Sequence, residues 1–273
     1  MRSRGPKKGR GKKVVLFAWM LLAGLAARQG SGWTSPPPQE YGRIVIDRYS
    51  HKAGMAPVAF NHWSHRALFT CRLCHVDIGF SMEEGGTDIR AADNKAGLYC
   101  GACHNGKMKF GSGSVFEACS PKPAPADAER CRKCHAPVKR GGKDGNFIRF
   151  IEKFPKDIFG NGVDWEKAEE KGYIKPVDFL EGVSIGRVAA RAQQDFSVKS
   201  KSTWMSDIKF SHRKHLSWLG CETCHPDIFM IKKGSTQYTM LDITGGKYCG
   251  ACHDKVAFPL NDCQRCHIGP VGQ

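Results

Sequence analysis

The chain has few of the residues that usually build a large protein interior. Its 273 residues include only six Trp and six Tyr, and 41% are hydrophobic, which is little for one large core of side chains. No cysteine precedes Cys71, so we expect no lipid-modified N-terminal cysteine. No apolar run after residue 27 reaches the roughly 20 residues of a membrane-spanning helix. We therefore expect something other than side chains to fill the interior.

Positive charge is concentrated at the N-terminus. Seven Lys or Arg residues lie between Arg2 and Lys13 and supply seven of the sixteen net positive charges, leaving +9 for the rest. An apolar run of 14 residues and a polar stretch follow. This order predicts a secretory signal peptide over residues 1–27 and an N-terminal extension over 28–50, and the short apolar run favours cleavage over the alternative of a membrane anchor. The other basic residues form no stripe with aromatics, so nucleic-acid binding is not expected.

Twelve of the thirteen cysteines occur in six copies of the motif C-x-x-C-H. The two cysteines and the histidine of each copy are Cys71, Cys74 and His75; Cys100, Cys103 and His104; Cys131, Cys134 and His135; Cys221, Cys224 and His225; Cys249, Cys252 and His253; and Cys263, Cys266 and His267. Two such thiols can each form a thioether with one porphyrin, and the next histidine then lies beneath the iron as its proximal ligand. Zinc needs no histidine after every pair, and an odd number of cysteines does not suit a disulfide framework. The motif therefore predicts six covalent c-type haems.

The thirteenth cysteine, Cys119, has no Cys-His after it. An unpaired cysteine in a loop, or a partly buried one, is the simplest interpretation. An intermolecular disulfide and an unusual iron ligand are the alternatives.

Four further histidines recur at fixed offsets. His62 and His65 lie nine and six residues before Cys71, and His212 and His215 lie nine and six before Cys221. On a helix, residues three apart project from neighbouring positions, so the two imidazoles can reach two different irons. We predict that all four are distal iron ligands.

The offsets belong to an internal duplication. Met55 and Met205 precede the histidine pairs equally, "HVDI" matches "HPDI", and both second motifs end in "YCGACH". The repeat predicts trihaem module 1 over residues 51–140, a connecting segment without haem over 141–204, and trihaem module 2 over 205–273.

This arrangement resembles the trihaem modules of c7-type cytochromes, relatives of the cytochrome c3 group that also occur as tandem arrays. The resemblance implies a mostly irregular fold with short α-helices and a core of haems. It also implies that the first histidine of F-x-H-x-x-H binds the iron of the first attachment motif, and the second histidine that of the second motif. His62 and His212 would then serve the first haem of each module, and His65 and His215 the second.

The resemblance extends to the third haem of module 2. The stretch "YTMLDITGGKYCGACH" is similar to one in tandem members of the family, which implies Met240 as distal ligand of the haem at Cys263. Module 1 has Ala91 at this position, and 26 residues separate His104 from Cys131, against nine between His253 and Cys263. The composition of this insert is typical of a flexible surface loop.

The third haem of module 1 therefore needs another ligand. His51 is the first candidate because it is the only unassigned histidine. Met82, Met108 and an open position are the alternatives.

The connecting segment is too apolar for a free linker. Its sequence predicts a short helix with Asp164 as N-cap and Gly172 just past the end. We expect its Phe, Ile and Trp residues to pack against a haem or the neighbouring module; a separate docking patch is the alternative.

Closely spaced haems with both axial positions filled predict an electron-transfer protein rather than an enzyme. The expected partners are other redox proteins, such as multihaem cytochromes or quinol-linked donors, and the mature chain has no expected membrane span. The periplasm is the expected location, with the cell surface or the extracellular space as alternatives. Two other hypotheses remain at this point: a small-molecule reductase at an open haem in module 1, and a subunit that self-assembles into a conductive filament.

Overall fold

The computed structural model describes residues 36–119, 127–137, 145–187 and 193–271. The predicted signal peptide lies outside these residues. The α-helices of the described residues are α1 (His62–Arg66), α2 (Ala91–Lys95), α3 (Ala128–Arg132), α4 (Gly145–Phe150), α5 (Trp165–Glu170), α6 (His212–Leu216), α7 (Cys221–Cys224) and α8 (Met240–Thr244). Short 3-10 helices cover His51–Ala53, Tyr99–Ala102, Tyr248–Ala251 and Cys263–Arg265, and a π-helix covers Leu73–Asp77. These elements are short and separated by irregular chain, which confirms the predicted backbone architecture. Across the described ranges, we find no helix with the length and apolar character needed to cross a membrane.

The strands form three small antiparallel sheets. They are β1 (Arg43–Ile46), β2 (Val58–Asn61), β3 (Lys109–Phe110), β4 (Gly113–Ser114), β5 (Phe196–Val198), β6 (Ser206–Phe210) and β7 (His267–Val271). β1 pairs with β2, β3 with β4, and β6 lies between β5 and β7. Each half of the chain therefore places a pair of antiparallel strands directly before its histidine pair.

The two histidine pairs lie on equivalent helices. β2 leads into α1 and β6 into α6, and each helix begins at the first histidine of its pair. The Ser211 hydroxyl caps α6 by accepting a hydrogen bond from the Lys214 backbone N–H. The predicted helical i, i+3 arrangement is thus confirmed in both halves.

The third attachment motif lies against the same strand in both halves. His135 forms a β-bridge with Val58, and His267 pairs with Ile208. Val58 and Ile208 each lie four residues before the first histidine of their pair. The third motif therefore lies at the equivalent place in both halves, although the chain before Cys131 is longer than the chain before Cys263.

Part of that longer chain has regular structure. β3 and β4 form a hairpin, and the Phe110 ring lies 4.8 Å from the Phe69 ring, centroid to centroid. Residues 109–114 are exposed apart from Phe110, as expected of a surface segment, but they form a hairpin rather than an irregular loop because Phe110 has an aromatic partner to pack against. The proline-rich part of the insert, residues 120–126, lies outside the described residues.

The connecting segment forms a side-chain core with both halves. Its buried members are Phe147, Ile151, Phe154, Val163, Trp165, Ala168 and Ile174, and they pack with Ala67, Trp63 and Trp218. The Asp164 carboxylate caps α5 by accepting from the Lys167 backbone N–H, as predicted, and Gly172 follows the helix with φ of 74°. Ile158 departs from the expected packing, because its side chain is 91% exposed.

Candidate functional site

Both copies of C-G-A-C-H pack tightly against the helix that precedes them. A Cβ atom on Gly101 would lie 1.8 Å from the Asn94 carbonyl oxygen, and one on Gly250 would lie 1.9 Å from that of Ile243. No side chain fits at such distances. Glycine therefore allows α2 and α8 to approach the attachment turns, whereas the flanking cysteines carry the chemistry.

The attachment motifs surround one large cavity of about 3730 Å³. Eleven of the twelve predicted attachment cysteines line it, as do nine of the predicted histidine ligands. Ordinary small-molecule sites measure roughly 300–1,000 Å³. A continuous cavity several times larger, with thiols and imidazoles on its wall, fits a group of porphyrins. Cys131, His135 and His51 are not part of this wall.

Three pairs of predicted ligands face each other across the cavity. The ring centroids of His62 and His75 are 6.5 Å apart, those of His65 and His104 are 6.1 Å apart, and those of His215 and His253 are 6.3 Å apart. A metal–imidazole bond is about 2 Å and the ring centre lies roughly 1 Å behind the bonding nitrogen, so two axial imidazoles place their centroids about 6 Å apart. The three separations are therefore those of two imidazoles on opposite sides of one metal atom.

The three pairs differ in the angle between their rings. The rings of His62 and His75 are nearly parallel, at 7°, whereas those of the other two pairs are inclined by 60° and 64°. His212 does not share this arrangement with His225; its ring lies against Phe196 and Phe210.

Backbone carbonyl groups fix the orientation of most of the predicted ligands. The Nδ1–O pairs are His62–Gly42 (2.9 Å), His75–Phe80 (3.0 Å), His135–Ala56 (2.7 Å), His212–Gln194 (2.9 Å), His215–Ser211 (2.8 Å), His225–Phe229 (2.6 Å), His253–Phe258 (3.0 Å) and His267–Ser206 (2.6 Å). Since a carbonyl oxygen only accepts, Nδ1 carries the proton and donates. The Nε2 lone pair of each ring is then free to bind a metal.

Burial favours the neutral imidazole of the predicted histidine ligands, which is the form that binds iron. It is the main reason why the pKa values of His62, His65 and His253 fall to about 4. Neutral imidazole is the ligating form. Burial likewise raises the pKa of the Cys74 and Cys252 thiols to about 12.

Aromatic side chains support the histidines in both halves. The Phe60 ring lies within 4.9 Å of both His62 and His65, and Phe210 lies 5.0 and 4.4 Å from His212 and His215. These phenylalanines belong to the F-x-H-x-x-H pattern, but their positioning role was not predicted from the sequence.

A second contact between a phenylalanine and a predicted histidine ligand occurs in both halves, but no sequence pattern indicates it. Phe116 and Phe258 lie 4.4 and 4.3 Å from His104 and His253, centroid to centroid. Phe116 follows its histidine by twelve residues and Phe258 by five. Because the spacing differs, only the fold reveals that the two rings are equivalent.

The predicted ligands of the third haems lie in different surroundings. Met240 is the first residue of α8, is half-exposed, and lines the cavity together with Cys263, Cys266 and His267. Ala91 is the first residue of α2, so the two positions are structurally equivalent. His51 is exposed in its 3-10 helix. Met82 and Met108 line the cavity.

Cys119 is an unpaired, partly buried thiol with φ of 56°. Its Sγ lies 3.8 Å from Nδ2 of Asn94. The thiol also contributes to the raised pKa values of Cys100 and Cys134, for which burial is the main cause. It therefore lies beside two different attachment motifs.

The repeated motifs correspond to a known protein family. A family model described as "Cytochrome c7 and related cytochrome c" matches residues 58–136 and 208–268, slightly more than half of the chain. The chain belongs to this family. It is therefore a multihaem c-type cytochrome of the c7 type, with haems in its core, and the predicted recognition and fold class are confirmed. Proteins of this family are electron carriers that bind covalent c-type haems.

Several solved structures are similar to this cytochrome. A "c7-type three-heme cytochrome domain" is 40% identical over 28% of this chain and 93% of its own, with a TM-score of 0.26. The "C-terminal hexaheme fragment of GSU1996" is 25% identical over 86% of this chain and 99% of its own, with a TM-score of 0.25. The "dodecaheme cytochrome c GSU1996" is 24% identical over 82% of this chain and 73% of its own, with a TM-score of 0.25. No curated protein matches the chain.

Proposed function

We propose that this cytochrome is an exported electron relay that carries six haems, three in each half. The observation that carries the proposal is the set of three imidazole pairs with centroids 6.1–6.5 Å apart around the cavity. Filled axial positions leave iron no place for a substrate, so electrons pass between neighbouring macrocycles. The partners are other redox proteins, such as multihaem cytochromes or quinol-linked donors.

The two modules begin with their strand pairs. Gly42 and Gln194 accept hydrogen bonds from His62 and His212 across the β1–β2 and β5–β6 pairs. The functional unit therefore includes residues N-terminal to the starts suggested by the sequence repeat, at 51 and 205. Residues 141–204 carry no haem and join the two modules through their aromatic core.

In module 2, Met240 is the distal ligand of the third haem. Its side chain lies on the cavity wall with His267, and the Thr239–Asp242 capping box fixes the start of α8. Thioether sulfur favours ferrous iron, so this haem has a higher reduction potential than its neighbours with two histidines.

In module 1, His51 takes this role from a different segment. Lys201 lies eleven residues before His212, as His51 does before His62. The Lys201 Nζ lies 3.1 Å from the Tyr238 carbonyl oxygen, two residues before Met240. The segment that carries position 51 in one module and 201 in the other thus runs beside the start of the helix.

Contacts in module 1 agree with this placement. The Arg90 guanidinium lies 5.2 Å from the Tyr49 ring centroid and 3.3 Å from its hydroxyl, and Arg48 forms an ion pair with Asp88. These contacts hold residues 48–51 beside the start of α2, where Ala91 replaces the methionine. An imidazole from this segment can therefore substitute for the missing thioether.

Two single variants test both ligands. Met240→Ala should remove the long-wavelength absorption band that ferric iron shows when a thioether binds it, whereas His51→Ala should retain the band. His51→Ala should instead produce a high-spin signal from one haem in six. An undiminished thioether band in Met240→Ala would contradict the first assignment, whereas a band of half intensity would indicate a second methionine ligand, Met82 or Met108, in module 1. A wholly low-spin His51→Ala protein would point to Met82 or Met108.

The reductase hypothesis makes a different prediction for the unmodified protein. An open iron would give a high-spin signal that responds to cyanide or nitrite and disappears when His135 alone is changed. Wholly low-spin spectra of the unmodified protein would reject that hypothesis. Cell fractionation tests export: the relay should be recovered from the periplasm or the cell exterior with residues 1–27 removed.

A further inference from the structure

The two modules meet at their haem attachment segments. The Arg72 Nε donates to Glu222 at 2.9 Å, which joins the first attachment motif of module 1 to that of module 2. The Arg72 backbone N–H also donates to the Trp218 carbonyl oxygen at 3.3 Å. Besides burial, the Cys71 thiol contributes to the raised pKa of Cys252. The Cys71 motif therefore lies close to the Cys252 motif, at a junction between the modules.

The Arg66 side chain lies at this junction. Its guanidinium stacks 4.7 Å from the Trp165 ring centroid and 5.9 Å from that of Trp218, and its Nη1 donates to the Val256 carbonyl oxygen. One side chain from module 1 thus contacts the connecting segment and module 2. It also lines the haem cavity.

Arg66 differs from the nearby Arg72 in its charged partners. Arg72, nearby, forms ion pairs with Asp77 and Glu222. By contrast, across residues 36–119, 127–137, 145–187 and 193–271, no Asp or Glu is among the groups that act on the Arg66 charge, whereas the Asp254 carboxylate acts on the neighbouring Tyr41 phenol. Burial lowers the pKa of the Arg66 guanidinium, but arginine keeps its proton in proteins. The neighbouring Tyr41 phenol stays neutral, because burial raises its pKa and its hydroxyl donates to a carbonyl oxygen.

The charge lies close to predicted iron ligands of both modules. Arg66 lies four residues after His62 in α1, and its guanidinium contacts Val256, three residues after His253. His62 belongs to the first haem site of module 1, and His253 to the second haem site of module 2. A cation without a carboxylate partner among the described residues therefore lies near both sites.

The two modules differ at the position of Arg66. Arg66 ends α1, and Leu216 ends α6 at the equivalent place in module 2. A positive charge at this helix position is therefore present in module 1 and absent from module 2.

We propose that Arg66 raises the reduction potentials of the two haem sites at the module junction through its partly buried positive charge. The proposal rests on the hexahaem relay proposed above. One electron moves from one iron to the other, with no bond formed and no proton transferred. A unit charge about 10 Å from an iron, at an effective dielectric constant of about 20, changes a one-electron equilibrium constant by about tenfold. Arg66 thus makes the junction a preferred location for electrons entering from either module.

The decisive variant is Arg66→Gln, because its amide can still donate to the Val256 carbonyl group while the charge is lost. Spectroelectrochemical titration of the full holoprotein should show two of the six reduction potentials lowered by about 59 mV each. This shift corresponds to an about tenfold change in a one-electron equilibrium constant. Arg66→Lys keeps the charge and should keep the potentials. Lys171→Gln removes an exposed positive charge in the connecting segment and is the matched control.

Unchanged potentials in Arg66→Gln, or a small shift spread evenly over all six, would overturn the proposal. If Arg66→Gln does not assemble, Arg66→Lys tests the proposal. Lowered reduction potentials at the junction in Arg66→Lys, which keeps the charge, would show that the stacking of the guanidinium rather than its charge sets the potentials. Intact mass spectrometry distinguishes a failure of the Arg66 proposal from a failure of the proposed function. Fewer than six haems in the unmodified protein would refute the hexahaem relay, whereas six haems with unchanged potentials would refute only the role of Arg66.

Discussion

Gly250→Ala tests whether the close approach of α8 to its attachment turn is required. The added Cβ would lie 1.9 Å from the Ile243 carbonyl oxygen, whereas real contacts of this kind are not shorter than 3.0 Å, so backbone must move by about 1.1 Å. The same carbonyl oxygen accepts a hydrogen bond from the Gly246 backbone N–H at 2.9 Å. Overpacking costs about 1–3 kcal/mol and a lost hydrogen bond about 0.5–1.5 kcal/mol. Together they predict a loss of about 1.5–4.5 kcal/mol.

Guanidinium unfolding of the holoprotein, followed by far-ultraviolet circular dichroism, measures this loss. Gly113→Ala is the matched control, because nothing lies within 4 Å of a Cβ at that position. Gly101→Ala should behave like Gly250→Ala, since its Cβ would lie 1.8 Å from the Asn94 carbonyl oxygen. If Gly250→Ala is as stable as Gly113→Ala, glycine in this motif has no packing role.

Two further predictions concern the connecting segment. Trp165→Ala should lower the free energy of unfolding by about 3–5 kcal/mol, because it empties the centre of the buried aromatic cluster; the exposed Ile158→Ala serves as control, and equal losses would contradict the packing. Acid should loosen the segment, because hydrogen bonds from Lys167 and the charge of Arg265 outweigh burial and lower the pKa of Asp164. A carboxylate with a lowered pKa stabilises the fold above its unfolded pKa of about 3.9 and loses that contribution as pH falls through the folded value. The contribution of Asp164 to protease resistance of residues 145–187, measured as the difference between the unmodified protein and Asp164→Asn, should therefore be lost only below about pH 4, and its loss between pH 5 and 7 would contradict the role of Asp164.

The sequence predicted the features that depend on spacing. The C-x-x-C-H motifs, the histidine pairs and the N-cap at Asp164 are local patterns with a direct chemical or helical cause. The family assignment confirmed the type of cytochrome, and the structure confirmed the helices that carry the histidines.

Features that depend on distant contacts could not be predicted. β1 and β5 are strands of four and three residues, too short for a recognisable alternation. The equivalence of Phe116 and Phe258 was hidden by the unequal spacing from their histidines. The difference between Arg66 and Leu216 is visible in the sequence, but its meaning requires knowing that Trp165, Trp218 and Val256 surround the guanidinium.

The number of covalent haems tests the central claim most directly. Intact mass spectrometry of the mature protein, with an alkaline pyridine spectrum to quantify haem, gives the haem count per chain independently of any structure. The account predicts six haems, with no free thiol other than that of Cys119. Fewer than six haems, or zinc bound to unmodified cysteine pairs, would contradict it.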